Sequence, residues 1–200
     1  MRIPLGNGDP LIANPDLEPE TGTSVQMGAK FQNDMIGRLT VSAHATRFRN
    51  LVDFDPEAFT NVNRRQVDSR GIELEWSNQV TKNLQALAYV SLNDTDSSSD
   101  QPLRNRPDLT ASTRLDVQLG QGWSGNAAWR YSSEFFTSSV PTGFGELGGF
   151  DQFDFGLAWA GASGWGFRAE LTNGFNTDVS YAYGVQEPRR VITLSLNRVL

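Results

Sequence analysis

Apolar and polar residues alternate one by one along most of this chain, most clearly from Leu109 to Leu119. Leu109, Ala111, Thr113, Leu115, Val117 and Leu119 fall on one face, and Thr110, Ser112, Arg114, Asp116 and Gln118 on the other. Period two is the side-chain repeat of a β-strand, and charge confined to one face means that the two faces meet different solvents. The alternation predicts nine strands, over 23–33, 35–48, 59–77, 84–93, 109–119, 123–135, 150–160, 165–173 and 189–200. The fourth is the least regular, because Leu87 and Tyr89 fall opposite Leu84, Ala86, Ala88, Val90 and Leu92.

The connections have their own rhythm. Asn33-Asp34, Ser77 to Asn83, Gly120 to Gly122 and Gly161 to Gly164 are brief and rich in turn formers. Between them lie the longer stretches Arg49 to Ala58, Asn93 to Pro107, Phe136 to Gly149 and Gly174 to Pro188. An up-and-down antiparallel sheet gives this alternation when one rim is trimmed and the other elaborated, as in outer-membrane barrels. All five tryptophans lie on the apolar face, and Trp76, Trp123, Trp159 and Trp165 sit beside short connections. Indole prefers the headgroup zone of a bilayer, so these four predict an aromatic girdle. A soluble β-sandwich also alternates, but its core gives no reason to gather indoles at one rim.

Composition changes the picture little. A mean hydropathy of −0.41 and a pI near 4.8 look soluble, yet barrel strands need only ~9–11 residues with every second one apolar. No apolar run approaches the ~18 residues of a membrane helix, which excludes only a helical membrane protein. A net charge of −6 offers no basic stripe for nucleic acid, so no nucleic-acid partner is expected. With no cysteine, disulfides and thiolate chemistry are impossible. The opening Met1-Arg2-Ile3-Pro4-Leu5-Gly6 does not read as a signal peptide, since Pro4, Gly6, Gly8 and Pro10 interrupt any apolar core. A chain bound for the outer membrane should carry one, so the natural N-terminus is expected to lie elsewhere.

The run Asn14-Pro15-Asp16-Leu17-Glu18-Pro19-Glu20 resembles the Asn-Pro-x-Leu-x-Pro-Glu motif of TonB-dependent outer-membrane receptors. Gly71-Ile72-Glu73-Leu74, preceded by Asn61-Val62-Asn63, resembles a later strand of that family. Arg104-Asn105-Arg106-Pro107 is similar to its x-Asn-Arg-Pro approach to the next strand. Leu171-Thr172-Asn173-Gly174-Phe175-Asn176 resembles its late Val-x-Asn-Leu-Phe motif, with Gly174 in place of Leu. Pro188-Arg189-Arg190 opens the last strand much as the family's Pro-Gly-Arg does, with Arg189 in place of Gly. The order holds from Asn14 to Leu200.

The resemblance implies an all-β fold, the last nine strands of an antiparallel transmembrane barrel of about 22 strands. Residues 1–22 would form an extracellular lead-in and 23–200 the barrel segment. It implies part of a receptor for energised uptake of a scarce ligand such as a ferric siderophore, haem or cobalamin, in the outer membrane. Implied partners are outer-membrane lipid, the other barrel strands, a plug domain and, through the plug, the TonB complex. Plug, TonB box and signal peptide have no counterpart in this sequence, so gated transport by this chain alone is not expected. The assembly signal is imperfect: the chain ends in Leu200, not an aromatic, and Arg198 interrupts the outward face. Near an interface that arginine costs about 0–1 kcal/mol, against ~2–4 at the midplane.

Candidate chemistry is sparse, and no catalytic, cofactor or metal residue is assigned. His44 stands on a polar face among Thr40, Ser42 and Thr46 and reads as lumen lining rather than part of a triad. Glu73 and Glu75 share a strand face ~7 Å apart, and lumen lining explains them more simply than a carboxylate pair. Asp94-Thr95-Asp96-Ser97-Ser98-Ser99-Asp100, Asp53 and Asp55 could offer oxygens to calcium but lack a dedicated loop pattern. Gly143-Phe144-Gly145 lacks the Lys-Ser/Thr of a phosphate loop. Tyr181-Ala182-Tyr183 with Gln186, and Phe144 to Phe150, bring aromatics to the outer rim and suit an iron-chelate or cobalamin-like ligand, with no single ligand-binding residue assigned. Arg38, Arg114, Arg130 and Arg168 alternate with Glu73, Asp116, Asp154 and Glu170 on the polar face and are expected to face a plug. The rival readings are a porin-like or oligomeric membrane β-barrel module and a soluble β-sandwich for binding or adhesion.

Overall fold

The computed structural model describes residues 3–5, 9–11, 13–55, 58–98, 103–139, 143–182 and 184–198. Nine strands form one antiparallel sheet in which each pairs with its sequence neighbours. They are β1 (Thr21–Asn33), β2 (Gly37–Asp55), β3 (Thr60–Thr81), β4 (Leu84–Ser97), β5 (Leu109–Gly120), β6 (Trp123–Ser132), β7 (Phe150–Ala160), β8 (Trp165–Thr172) and β9 (Val191–Arg198). All nine predicted strands are present, in order. No helix among the described residues is long and apolar enough to cross a membrane, which says nothing of a β-barrel.

Register decides the two faces. Directly opposed residues share a face, and a slip of one residue would turn a strand inside out. Across the wall, Phe31, Leu39, Trp76, Ala88, Thr113, Trp129 and Phe153 are successive partners. So are Leu84, Val117, Gly125, Leu157, Ala169 and Leu194, two apolar rows nearer the short turns. Each such row is apolar throughout or nearly so. The intervening rows are polar: Lys30, Thr40, Glu75, Tyr89, Ser112, Arg130 and Gln152 are likewise partners in turn.

Among the described residues the apolar face packs against no second layer. Met27, Ile192, Leu194 and Leu196 are each more than two-thirds open, and Val25, Leu74, Leu115 and Leu157 are also exposed. A β-sandwich would bury this face against another sheet, so the sandwich reading is set aside. Among the described residues the fully or nearly buried apolar side chains are few: Val67, Ala86, Phe135, Phe150 and Val179. Four of them lie at the long-loop rim.

Aromatics mark both borders of the apolar band. At the short-turn rim Trp123 stands opposite Trp159, ring centres 6.3 Å apart, and the Trp76 indole N–H donates to the Ile36 carbonyl. Arg198 faces Trp165, its guanidinium 5.3 Å above the ring, so the one charge on the outward face of β9 rests on a rim indole. Toward the other rim, Trp129, Tyr131, Phe153, Phe155 and Phe175 form a contiguous ring cluster. Trp129 donates its N–H to Asp151 at 2.7 Å.

The long connections differ from expectation in shape. The stretch predicted as a loop over Arg49 to Ala58 is mostly strand, because β2 and β3 continue together past the apolar band to the pair Asp55–Thr60. β4 continues likewise to Ser97. Past the band both faces are wet, and the outward positions carry Arg47, Arg49, Asp68, Arg70, Asp94 and Asp96. Phe136 to Gly149 contains a hairpin, Phe135–Ser139 with Gly143–Leu147, and Gly174 to Pro188 a short ladder, Ser180–Ala182 with Val185–Gln186. Ile3–Leu5 pairs with Asp9–Leu11 ahead of β1.

Candidate functional site: the polar wall and its outer rim

The polar face of β1 to β9 is the surface on which chemistry is available. Three of the four arginines named from the sequence are paired there. Arg114 meets Asp116 at 2.7 Å, Arg130 meets Asp154 at 2.8 Å and Arg168 meets Glu170 at 3.0 Å. Arg38 instead faces a hollow of about 540 Å³ that it shares with Thr40, Glu75, Ser77, Leu87, Tyr89, Ser112, Arg114 and Arg130. The two residues that spoiled the alternation of the fourth strand, Leu87 and Tyr89, therefore line this hollow.

Glycine shapes the wall where large polar side chains cross it. A Cβ at Gly71 would collide with the His44 ring and with Asn93 Oδ1, at 2.5 Å from the latter. At Gly156 it would strike Asn126, and at Gly166 Asn197. In each case the glycine opposes the residue whose side chain lies across it. His44 thus packs over a glycine on the polar face rather than on a serine. Glu73 accepts a hydrogen bond from Ser42 at 3.3 Å, while Glu75 faces the hollow. No cluster of three or more potential metal ligands occurs among the described residues.

Asp53 is occupied by cations of the chain itself. Its two carboxylate oxygens take Arg64 at 3.2 Å and Arg104 at 2.6 Å. All three side chains are largely buried, and the Arg104 guanidinium also lies 5.6 Å above the Phe54 ring. Asp55 accepts from the Ala58 amide. Asp94 and Asp96 stand in extended β4 opposite Arg70 and Asp68, and Asp100 lies outside the described residues. Arg47 donates to Asp68 at 2.6 Å, above the apolar band, and with Gln66 holds that carboxyl below the usual carboxylate range.

The loops over the long-loop rim are tied to one another and to the wall. Asn105, with φ at +56°, donates its amide to the Phe136 carbonyl. The lead-in docks on the β2–β3 extension: Asn63 accepts from the Glu18 amide and donates back to the Glu18 carbonyl, and Asn50 donates to the Glu18 carboxylate. Asn14 donates to the Asn61 carbonyl. The asparagine-rich approach to β3 and the motif ahead of β1 are thus two halves of one clasp. Asn173, 1% exposed with φ at +51°, folds the exit of β8 by exchanging two hydrogen bonds with Thr177. Its amide donates to Asp154, which also takes Gln152 and Arg130.

Between these loops and the wall lies a second cavity, of about 360 Å³. Tyr89, Thr110, Ser112, Arg130 and Ser132 form its floor, and Asn105, Pro107, Phe135, Phe150 and Tyr181 its roof and sides. Phe150 and Tyr181 meet edge to face, centres 5.2 Å apart. Of the rim aromatics expected from the sequence, Tyr181 and Phe150 are brought together here. Tyr183 and the Phe144 side chain lie outside the described residues.

A family model described as "TonB dependent receptor-like, beta-barrel" matches residues 3–173. The chain belongs to this family. Among solved structures, the copper transporter OprC is similar at 20% identity and a TM-score of 0.73, over 92% of this chain and 32% of that one. The ferric-catecholate import receptor Fiu from K12 E. coli is 18% identical, also with a TM-score of 0.73, over 92% of this chain and 28% of its own. The ferripyoverdine receptor of the outer membrane of Pseudomonas aeruginosa is 12% identical with a TM-score of 0.72, over 90% and 27%. The chain thus spans about a third or less of the structures it matches. Of the motifs that resembled the family, three fall on the clasp, on the Gly71 row and at the β8 exit, and the other two in the connections that lead into β5 and β9.

Proposed function

We propose that this chain forms wall and outer loops of a TonB-dependent receptor in the outer membrane, taking up a scarce metal chelate or cobalamin-like ligand. Residues 1–22 act as a lead-in at the extracellular rim and residues 23–200 as barrel wall. The observation that supports this most is the set of overlapping apolar rows that together cover the nine strands, exposed on one side and bordered by aromatics. A face of that kind is stable against lipid and unstable against water. The polar face then looks onto the lumen, where Arg38, Arg114 and Arg168 meet a plug domain through which the TonB complex acts. The names of the similar structures span copper, ferric catecholate and ferripyoverdine, and a chelate fits that range.

Cell fractionation with an antibody to residues 176–186 tests the reading. It expects the signal in the outer membrane, with the epitope reachable from outside intact cells. A detergent-free soluble monomer overturns it.

A further inference from the structure

We propose that the outward face of β1 to β3, just above the apolar band, binds a phosphorylated lipid of the outer leaflet through Arg47, Arg49 and Arg70. The proposal rests on the membrane reading for what covers this face and goes beyond it in assigning a headgroup to named side chains. Depth is the first argument. Up the outward positions of β2, Val41, Ala43 and Ala45 give way to Arg47 and Arg49, and on β3 Leu74 and Ile72 give way to Arg70, Asp68 and Gln66. Charge therefore begins in the row directly above Met27, Ala43, Ile72 and Leu92. An outward arginine is costly at the bilayer midplane and nearly free at the border, and the wet layer that starts at the border is the lipids' own headgroups. On β6 and β7 the same border is held by Trp129, Tyr131 and Phe153, so the arginines set this sector of the wall apart from that one.

Availability is the second. All three arginines are exposed. Arg47 gives Nε and Nη2 to Asp68 and keeps its Nη1 edge. Arg49 and Arg70 form no ion pair among the described residues. Arg49 follows Arg47 by two residues on the same face, and Arg70 stands diagonal to Arg47 across the β2–β3 ladder, each roughly 7–8 Å away. Long side chains rooted that close can bring several guanidinium edges to one phosphate, which takes charge-assisted, bidentate bonds from them. Thr23 and Thr21, opposite Arg47 and Arg49, add exposed hydroxyls on the β1 side.

The acids of this face do not cancel the attraction, because they are set to one side. Asp94 opposes Arg70 and Asp96 opposes Asp68, both from β4, so the β1–β2 side is left positive. Below the arginines the surface suits a chain. Ala43 and Ala45 lie between the larger Met27 and Val25 on β1 and Ile72 on β3, all three of them exposed. An acyl chain laid over the two alanines gains apolar contact that a free phosphate lacks, which commits the site to a lipid.

The test titrates the full chain in detergent micelles with lipid A and reads bound lipid by native mass spectrometry, with EDTA present so that no divalent cation bridges acid and phosphate. Saturable binding is expected, with the same lipid stripped of its phosphates several-fold weaker and inorganic phosphate unable to displace it. Arg49→Gln with Arg70→Gln should weaken lipid A about ten-fold or more. Arg47 is kept, because its loss would also strand Asp68. Asp94→Asn with Asp96→Asn should tighten lipid A about two-fold or more, a gain that a merely structural role of these side chains would not produce. Lys82→Gln at the opposite rim should leave it unchanged. No saturable binding, equal binding of the two lipids, displacement by inorganic phosphate, or full affinity in the arginine variant overturns the proposal. A chain found in the outer membrane that does not distinguish the two lipids refutes the site alone. A chain that binds lipid A through these arginines but is found as a soluble monomer refutes the uptake reading and keeps the site.

Discussion

At the residue scale, glycine and asparagine do the work that bulky side chains do in a soluble core. Gly71 is the sharpest case, because the His44 ring and the Asn93 amide both lie where its Cβ would be. Gly71→Ala forces one of them out of place, an overpacking that costs about 1–3 kcal/mol. Urea unfolding in micelles should show the loss, and His44→Ala in the Gly71→Ala background should recover part of it, since the two sites share a contact. Purely additive effects would mean that the imidazole does not constrain this position. Arg198 shows the opposite economy. A charge on a lipid-facing strand is tolerated where it lies over Trp165 at the rim, which accounts for its interruption of the outward pattern.

At the scale of elements, the strands were legible in the sequence and their ends were not. Alternation holds only while one face meets lipid, so the nine strands stood out within the apolar band. Past it Arg47, Arg49, Asp68 and Arg70 face outward, water lies on both sides, and the continuation of β2 beyond 48 carried no period-two signal, although the reading of 59–77 already held the outer part of β3. The hairpin within Phe136 to Gly149 was hidden for the same reason. Asp53, read only as a poor calcium ligand, became interpretable once strand ends and loop met, because its partners are distant in sequence. It joins Arg64 of β3 and Arg104 of the β4–β5 loop in a buried triad. Asp53→Asn removes the carboxylate that Arg64 and Arg104 share, a loss of about 3–5 kcal/mol, borne by the rim alone. Limited proteolysis should then cut within 98–108 far faster, while amide exchange in β5 to β8 stays as slow as before. Equal loosening of both regions would show that rim and wall are one cooperative unit. The cavity under the outer loops had a partial signal: Tyr89 broke the pattern of its strand, and Tyr181 stood among rim aromatics. Arg130 gave none, since its neighbours in the cavity come from four separate segments.

For the whole molecule, the fold is a partition between two solvents, and that can be measured directly because the chain has no cysteine of its own. Val41, Val90 and Leu194 lie in the apolar rows, and Thr40, Ser91 and Ser195 are their sequence neighbours in the polar ones. Single cysteines at these six positions, labelled with a fluorophore in outer-membrane vesicles, should divide by parity. The first three should be quenched by nitroxide lipids and shielded from aqueous iodide. The other three should ignore the lipid quencher, with their iodide response set by whatever fills the lumen. Adjacent residues a few ångströms apart along one strand would thus report opposite surroundings, a result that a register slip in any strand would invert for that strand alone. If the labels in the apolar rows answered to neither iodide nor lipid, those rows would have found a protein partner, and the exposed face would be an assembly surface instead of a membrane one.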